Sequence, residues 1–163
     1  MTLLIKASTE TRTSSGSLLV DSDLATTLAA NTWYEWESIC AVYSGATPDF
    51  KFRYNFSGSI IWADGSLTFQ NACLAGTWVG QGTTFTQQRF ITPGELTDGT
   101  TTNFIAGDAT TTFRALIWAR GYIRVGTSGT LALYWAQNTS NGANTQVLVN
   151  SWLYVKAQET AAP

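Results

Sequence analysis

Histidine is absent from this 163-residue sequence, and charged residues make up only 12% of it. Without histidine the chain cannot build a Ser-His-Asp triad or a Cys-His pair, and it lacks the side chain that most often binds metals. Glycine-rich phosphate-binding motifs are missing as well, because "GTWVGQG" is not followed by Lys-Ser or Lys-Thr. We therefore predict no catalytic residues, no metal site and no cofactor, and we do not expect an enzyme.

Cysteine is scarce too. Cys40 and Cys73 lie in separate apolar segments and do not form a CxxC pair. Free cysteine is among the most buried residue types, so we expect two buried thiols. A disulfide between them stays open, since spacing alone does not establish one.

Basic clusters and long apolar runs are also lacking. The 9 Lys and Arg residues are dispersed and the formal net charge is −2, so we expect no nucleic-acid partner. No segment approaches the roughly 18 apolar residues of a membrane span. The first residues have neither the basic start nor the apolar run of a signal peptide. We expect a protein made in the cytoplasm, with no membrane partner.

Aromatic residues are abundant instead. The 7 Trp, 6 Tyr and 8 Phe residues slightly outnumber the 9 basic and 11 acidic ones. Aromatic and β-branched side chains favour strands, because they pack well on a pleated surface. The segment "DFKFRYNF" alternates strictly, and "TWYEWESICAVY" has a second apolar face. From these two segments we predict five core residues: Trp36, Phe50, Phe52, Tyr54 and Phe56.

The whole chain contains about eight to ten strand-like segments separated by turn signals. This pattern is typical of an all-β fold, and we predict a single antiparallel β-sandwich that is jelly-roll-like. Residues 1–31, rich in Thr and Ser, are expected to form an extended N-terminal arm plus the first strands. Residues 32–163 are expected to form the sandwich.

Neighbouring segments are expected to pair. We predict that residues 32–43 and 50–56 form an antiparallel pair, with Glu35 or Glu37 opposite Lys51 or Arg53. We also expect a hairpin turn at residues 126–129 and a C-terminal hairpin around the polar loop "NTSNGAN".

The segment "TTFRALIWARGYIRV" carries the strongest candidate site. Alternation places arginine and aromatic side chains on one face, and these residue types are enriched at interface cores. A sugar-binding platform and an ordinary exposed face stay open as alternatives. The predicted subunit interface consists of Arg114, Trp118, Arg120, Tyr122 and Arg124, with Tyr134 from the next strand.

Glu35 and Glu37 are the one close carboxylate pair on a clear strand. At i and i+2 they share a face and lie about 7 Å apart. Retaining glycosidases hold two carboxylates about 5–5.5 Å apart, from opposite sides of a cleft. We therefore favour a solvated, salt-bridged face over a catalytic pair.

Two long stretches carry a resemblance to a known group. "LAANTWYEWESICAVYSGATPDFKFRYNFSG" and "GTLALYWAQNTSNGANTQVLVNSWLYVKA" resemble a recurrent β-domain of tailed-bacteriophage virion proteins. The matched residues, 28–58 and 129–157, cover over a third of the chain. Asn150 stands where that group usually has glycine, which questions the turn there. The resemblance carries over no catalytic residues.

This resemblance implies a virion structural protein. Such domains occur in head-decoration, tail and fibre components, often as jelly-roll trimers. We expect a head-decoration (cement) protein, because the chain reads as one compact domain without a coiled-coil or collagen-like stalk. Its expected location is the virion, and its expected partners are itself, as a homotrimer, and the major capsid protein or other virion proteins. The alternatives are a tail or fibre component that binds a host-surface glycan and, more remotely, a glycoside hydrolase.

Overall fold

The computed structural model describes residues 1–45, 47–71, 88–90, 96–97, 103–105 and 113–158. These ranges contain twelve β-strands: β1 (Thr2–Ile5), β2 (Glu10–Arg12), β3 (Leu19–Leu28), β4 (Trp33–Ser44), β5 (Phe50–Phe56), β6 (Ile60–Asn71), β7 (Gln88–Phe90), β8 (Asn103–Ile105), β9 (Phe113–Val125), β10 (Gly129–Gln137), β11 (Thr145–Val147) and β12 (Trp152–Gln158). Four of them, β2, β7, β8 and β11, have three residues each, too few to show a period of two. The sequence-based count of eight to ten was therefore low.

The strands form two antiparallel sheets, and the prediction of an all-β sandwich is confirmed. The large sheet has the order β1-β12-β4-β9-β6-β7, with β11 beside β4 and β2 beside β11. The small sheet has the order β3-β10-β5-β8. Within the described ranges, no helix is long and apolar enough to cross a membrane. Cys73, expected as a buried thiol, lies outside the described residues.

Eight consecutive strands pair in a nested order. β3 pairs with β10, β4 with β9, β5 with β8 and β6 with β7, each time antiparallel. Two further antiparallel pairs, β10 with β5 and β9 with β6, join these pairs into the two sheets. As a consequence, the chain changes sheet at each step from β3 to β6.

The inward faces of the two sheets form one hydrophobic core. Burial alternates along β4 and β5, as period-2 patterning requires. Trp36 of the large sheet meets Tyr54 of the small sheet with ring centroids 5.3 Å apart. Each fully buried ring of this kind removes apolar surface worth about 1.5–3 kcal/mol. The five aromatic residues predicted for the core are all buried: Trp36, Phe50, Phe52, Tyr54 and Phe56.

The predicted pairing of residues 32–43 with residues 50–56 is wrong. Their strands, β4 and β5, lie in different sheets and meet across the core. Each strand has one largely apolar face, and opposing these faces buries both of them. Glu35 and Glu37 therefore have β9 and β12 as neighbours, and no basic residue of β5 lies beside them.

Both predicted hairpins are also corrected. Residues 126–129 lead from β9 in the large sheet to β10 in the small sheet. The strands on either side of residues 138–144, β10 and β11, likewise belong to different sheets. Turn residues indicate only that the chain changes direction, and the chain changes direction both in a hairpin and in a connection between two sheets.

Residues 1–31, expected as an arm with the first strands, pair within the sandwich. β1 lies beside β12 and β3 lies beside β10. Leu24 and Leu28 of β3 are buried in the core. β1 and β2 lie at edges of the large sheet, because in the described part of the chain β1 pairs only with β12 and β2 pairs only with β11.

Asn150 forms a tight turn before β12. Its φ is 67°, in the left-handed region that asparagine tolerates better than most residues. Its N–H donates to the Lys6 carbonyl at 3.0 Å, and the Ser151 N–H donates to the Leu148 carbonyl at 3.3 Å. These two hydrogen bonds therefore close the turn that leads into β12.

Candidate functional site

The candidate site is the outer face of the large sheet, formed by alternate residues of β1, β12, β4, β9 and β6. These residues point away from the core because their neighbours along each strand point into it. The strand register arranges them in rows that run across the sheet. Four such rows differ in chemistry.

The first row is apolar and crosses four strands. Ile5 lies opposite Trp152, Trp152 opposite Ile39, and Ile39 opposite Trp118. Ile5 is 55% exposed and Trp118 is 41% exposed. A contiguous apolar strip at the surface is typical of an interaction site, whereas single exposed apolar residues are ordinary.

The second row is polar and connects directly to the first. Leu3, Tyr154, Glu37 and Arg120 lie side by side on successive strands. The Trp118 indole N–H donates to Glu37 Oε1 at 2.7 Å. The Arg120 guanidinium lies 4.9 Å from the centre of the Trp118 ring. These two contacts hold the exposed indole in one orientation, which lowers the entropy lost on binding.

The third row is charged. Lys156, Glu35, Tyr122 and Asp64 are neighbours across β12, β4, β9 and β6. Glu35 Oε2 accepts a hydrogen bond from the Gln158 amide at 3.1 Å. This row therefore places one basic side chain, two carboxylates and an aromatic ring side by side on one surface.

The fourth row is aromatic. Trp33 and Trp62 lie on either side of Arg124, with indole centroids 5.2 Å apart and planes at 56°. The Arg124 guanidinium is 5.8 Å from the Trp33 ring centre. The tilt between the indoles means that they do not offer one flat platform.

Two shallow grooves run over this face. One of about 440 Å³ lies above the close approach of Gly65 and Gly121, which face each other on β6 and β9. Its other lining side chains include Glu35, Glu37, Asp64, Arg120 and Tyr122. The second groove, of about 520 Å³, is lined by Leu3, Ile5, Glu35, Glu37, Trp152 and Tyr154.

The structure brings together five of the six residues predicted for an interface. Their side chains are exposed on the outer face of the large sheet: Arg114, Trp118, Arg120, Tyr122 and Arg124. Tyr134 does not join them, because β10 belongs to the small sheet, where Arg53 lies 5.1 Å from the Tyr134 ring centre.

Several residues of this face were missed from the sequence. Trp33, Trp62, Trp152 and Ile5 belong to strands that are distant from β9 along the chain. Alternation on each strand shows that these side chains face away from the core, but only the register places Ile5 and Trp152 in the row of Trp118, and Trp33 and Trp62 in the row of Arg124. No local signal carries that register.

Glu35 and Glu37 form part of the face and not a facing pair. They are successive outward residues of one strand. Asp64 lies two strands away from Glu35, about 10 Å at ordinary strand spacing. The groove therefore combines hydrogen-bonding groups with aromatic surface, an arrangement suited to binding.

The polar groups inside the sandwich have a different chemistry. Burial raises the pKa of the Cys40 thiol to about 11, although hydrogen bonds with Ser38 and Tyr54 act against this shift. Burial, together with Cys40, also raises the pKa of Tyr54. The Tyr54 hydroxyl donates to Ser38 Oγ at 3.0 Å, and Ser38 Oγ donates to the Trp152 carbonyl at 2.8 Å. These groups stay neutral and tie the two sheets together.

Among the described residues, no group of three or more His, Cys, Asp or Glu side chains is arranged to hold a metal ion. No family model matches the chain, and no curated protein matches it. A solved structure, "Structure of infectious bursal disease virus Gt strain", aligns with 97% of this chain at 12% identity and a TM-score of 0.18. The chain spans 42% of the length of that chain, and so low a score carries no argument about fold or function.

Proposed function

We propose that the protein is a structural protein of a tailed-bacteriophage virion, namely a head-decoration (cement) protein that assembles as a homotrimer on the major capsid protein. The observation that carries the proposal is the apolar row Ile5–Trp152–Ile39–Trp118, exposed at both ends and bordered by charged residues. Covering this row removes apolar surface from water, and the bordering charges give the contact a fixed register.

Two further observations support the proposal. The sequence resemblance at residues 28–58 and 129–157 points to virion proteins. The nested antiparallel pairing of β3 to β10 supports the proposal, because eight antiparallel strands divided between two sheets are what a jelly roll requires.

A cement protein acts by mass action. It binds the assembled capsid lattice and not its separated subunits, and so shifts the equilibrium toward the intact particle. No proton transfer or bond cleavage is required of the outer face. We accordingly propose that the protein is not an enzyme.

Two measurements test this function. Mass spectrometry of purified heads, separated from tails, should find the protein in heads, and its presence in tails alone would contradict the decoration role. Sedimentation velocity should show a trimer for the wild type and a shift toward monomer for Trp118→Ala. Tyr134→Ala, on the small sheet, is the matched control and should remain trimeric.

A second candidate is a tail or fibre component that binds a glycan. The specific observation in its favour is the groove of about 440 Å³, where carboxylates and Arg120 lie beside the exposed Tyr122 ring. Trp33 and Trp62 favour it less, since their planes are tilted by 56°. Binding of host-surface polysaccharide that Tyr122→Ala abolishes, by a protein found only in tails, would replace the first proposal with this one.

A further inference from the structure

A buried amine and a buried carboxyl lie in direct contact at one end of the sandwich. Lys6 is 1% exposed and Asp21 is fully buried. Lys6 Nζ is 2.9 Å from both carboxylate oxygens of Asp21. The Lys6 backbone is held on both sides, since its N–H donates to the Ser151 carbonyl at 2.8 Å and its carbonyl accepts from Asn150 at 3.0 Å.

A bulge in β3 places the Asp21 carboxylate inside the protein. The pairing of β3 with β10 shifts register between Val20 and Ala25, so the intervening residues leave the ladder. Asp21 Oδ1 accepts hydrogen bonds from the N–H groups of Asp23 at 3.1 Å and Leu24 at 3.2 Å. The Trp135 indole N–H donates to Oδ2 at 3.1 Å. The carboxylate therefore accepts hydrogen bonds from three donors in addition to the lysine.

A second carboxylate completes the group. Glu10 Oε2 lies 3.1 Å from Lys6 Nζ, and Glu10 Oε1 accepts from Arg12 Nε at 3.0 Å. Arg12 in turn lies over the Trp135 ring at 3.8 Å and donates to the carbonyls of Leu19 and Val20. Glu10 is therefore fixed beside the amine. Asp23 is the other nearby carboxylate, with Oδ2 3.4 Å from Nζ.

From this geometry we propose that Lys6 and Asp21 are joined by an intramolecular isopeptide bond, with Glu10 carrying the proton. Transfer of one proton from Nζ to Asp21 Oδ2 first converts the ion pair into a neutral amine and a neutral acid. Nζ then attacks Asp21 Cγ. A second Nζ proton passes through Glu10 to Oδ2, which leaves as water. One C–N bond forms, one C–O bond breaks, and neither an oxidant nor a cofactor takes part.

The surroundings supply what this condensation needs. Contact between two fixed groups replaces an encounter in solution, which is worth effective concentrations of about 10⁵–10⁸ M. The N–H groups of Asp23 and Leu24 point at Oδ1, where negative charge develops after attack. Burial keeps bulk water away from the product amide.

The charges at the site are compatible with this step. Burial acts to lower the pKa of Lys6, but the hydrogen bonds and charges of Asp21 and Glu10 outweigh it, so the pKa is raised. The starting state is therefore the ion pair. The neutral pair is a tautomer of it that exchanges no proton with solvent, and low polarity penalises the neutral pair less than separated charges. The condensation therefore proceeds within the folded protein from the minor, neutral form of the pair.

Such a bond would fix the N-terminal strand. Lys6 follows β1 directly, and Asp21 belongs to β3 of the other sheet. The link would therefore tie the edge strand of the large sheet covalently to the small sheet. It would hold β1, with the exposed Leu3 and Ile5, in place when a partner binds to the outer face.

Intact mass spectrometry of the purified full chain under denaturing conditions tests the proposal. The wild type should be lighter than its sequence mass by one water molecule. Trypsin does not cut after an amide-linked lysine, so residues 1–12 should remain attached to residues 13–51. A wild-type mass equal to the sequence mass, after prolonged incubation of the folded protein, overturns the proposal.

Three variants separate the bond from the ion pair. Lys6→Arg keeps the buried cation but cannot form the amide, and should show its full sequence mass. Asp21→Asn should lose one ammonia molecule in place of water. Glu10→Gln keeps a hydrogen-bond acceptor beside Nζ but cannot carry the proton, and should be linked about 10²–10⁴-fold more slowly, the size typical of a lost general base. Linkage of Glu10→Gln at the wild-type rate would remove Glu10 from the reaction.

Discussion

Gly121 should be the most restrictive glycine beneath the groove of the outer face, at an inward position of β9 between Arg120 and Tyr122. It lies in the middle of β9, opposite Trp36 on β4 and Gly65 on β6. A Cβ atom at Gly121 would lie 2.4 Å from the Asp64 carbonyl oxygen and 2.8 Å from Gly65 Cα. Both are backbone atoms, so no flexible side chain can move aside. The strands β6 and β9 would have to separate where the groove has its floor.

The expected cost of Gly121→Ala follows from two opposing effects. Forcing an extra methyl group into a packed region costs about 1–3 kcal/mol. Replacing glycine by alanine restricts the unfolded chain, which recovers about 0.4–1 kcal/mol. The φ of Gly121 is outside the left-handed region, so alanine adds no backbone strain. We expect a net loss of about 1.3 kcal/mol in the free energy of unfolding, the difference between the midpoints of those two ranges.

Equilibrium urea denaturation, followed by tryptophan fluorescence, measures this loss. Gly142→Ala is the matched control, because nothing lies within 4 Å of a Cβ atom at that loop position. The control should be as stable as the wild type, or more stable by about 0.4–1 kcal/mol. If Gly121→Ala unfolds at the same urea concentration as Gly142→Ala, the close approach of β6 and β9 is refuted, and with it the floor of the groove.

Three further outcomes are expected. Cys40 in the folded protein should react with iodoacetamide at least about 100-fold more slowly than in urea at pH 8, because burial holds its pKa near 11 and only the thiolate reacts; rapid labelling of its peptide in the native state would contradict this. Burial acts to raise the pKa of Glu10, but bonding to Arg12 and Lys6 lowers it below its ordinary 4.5. Glu10 therefore stabilises the fold above pH 4.5, and this stabilisation is lost as the pH falls through its lowered pKa. The difference in Tm between wild type and Glu10→Gln should shrink from pH 7 to pH 3, and a difference that stays constant would contradict the lowered pKa. Asn150→Ala should lower the free energy of unfolding by about 1 kcal/mol and Asn150→Gly should not, since φ at this position is 67°; equal stability of the two variants in urea would argue against a strained turn.

The faces of the strands were predictable because alternation is a local property. "DFKFRYNF" shows which side of β5 is inward, and the same reasoning separates Trp118 and Tyr122 from the core residues of β9. Pairing is not local. An apolar face requires a cover, and β4 and β5 satisfy that requirement across the core as well as they would within one sheet. Patterning therefore predicted the sandwich, but it assigned the wrong neighbouring strand to Glu35 and Glu37.

The buried charges lay beyond sequence reasoning for a related reason. Lys6 follows a short apolar strand, and Asp21 stands in "VDSD", where a charged residue ordinarily faces solvent. Only the bulge in β3 turns Asp21 inward, and only the register of β1 on β12 brings Lys6 to it. A bulge of this kind depends on pairing between distant segments, which no short motif specifies.

Apolar residues are ordinarily buried and charged residues are ordinarily exposed, and two parts of this protein reverse that rule. The protein exposes Trp118 and Ile5, and it buries Lys6 and Asp21. A buried ion pair seldom adds more stability than apolar residues of the same volume would, and exposed apolar surface forgoes its burial. Neither feature is therefore explained by the stability of the isolated chain. We propose a use for each: a contact with a partner that covers the apolar row, and a covalent link that holds the edge strand beneath that contact.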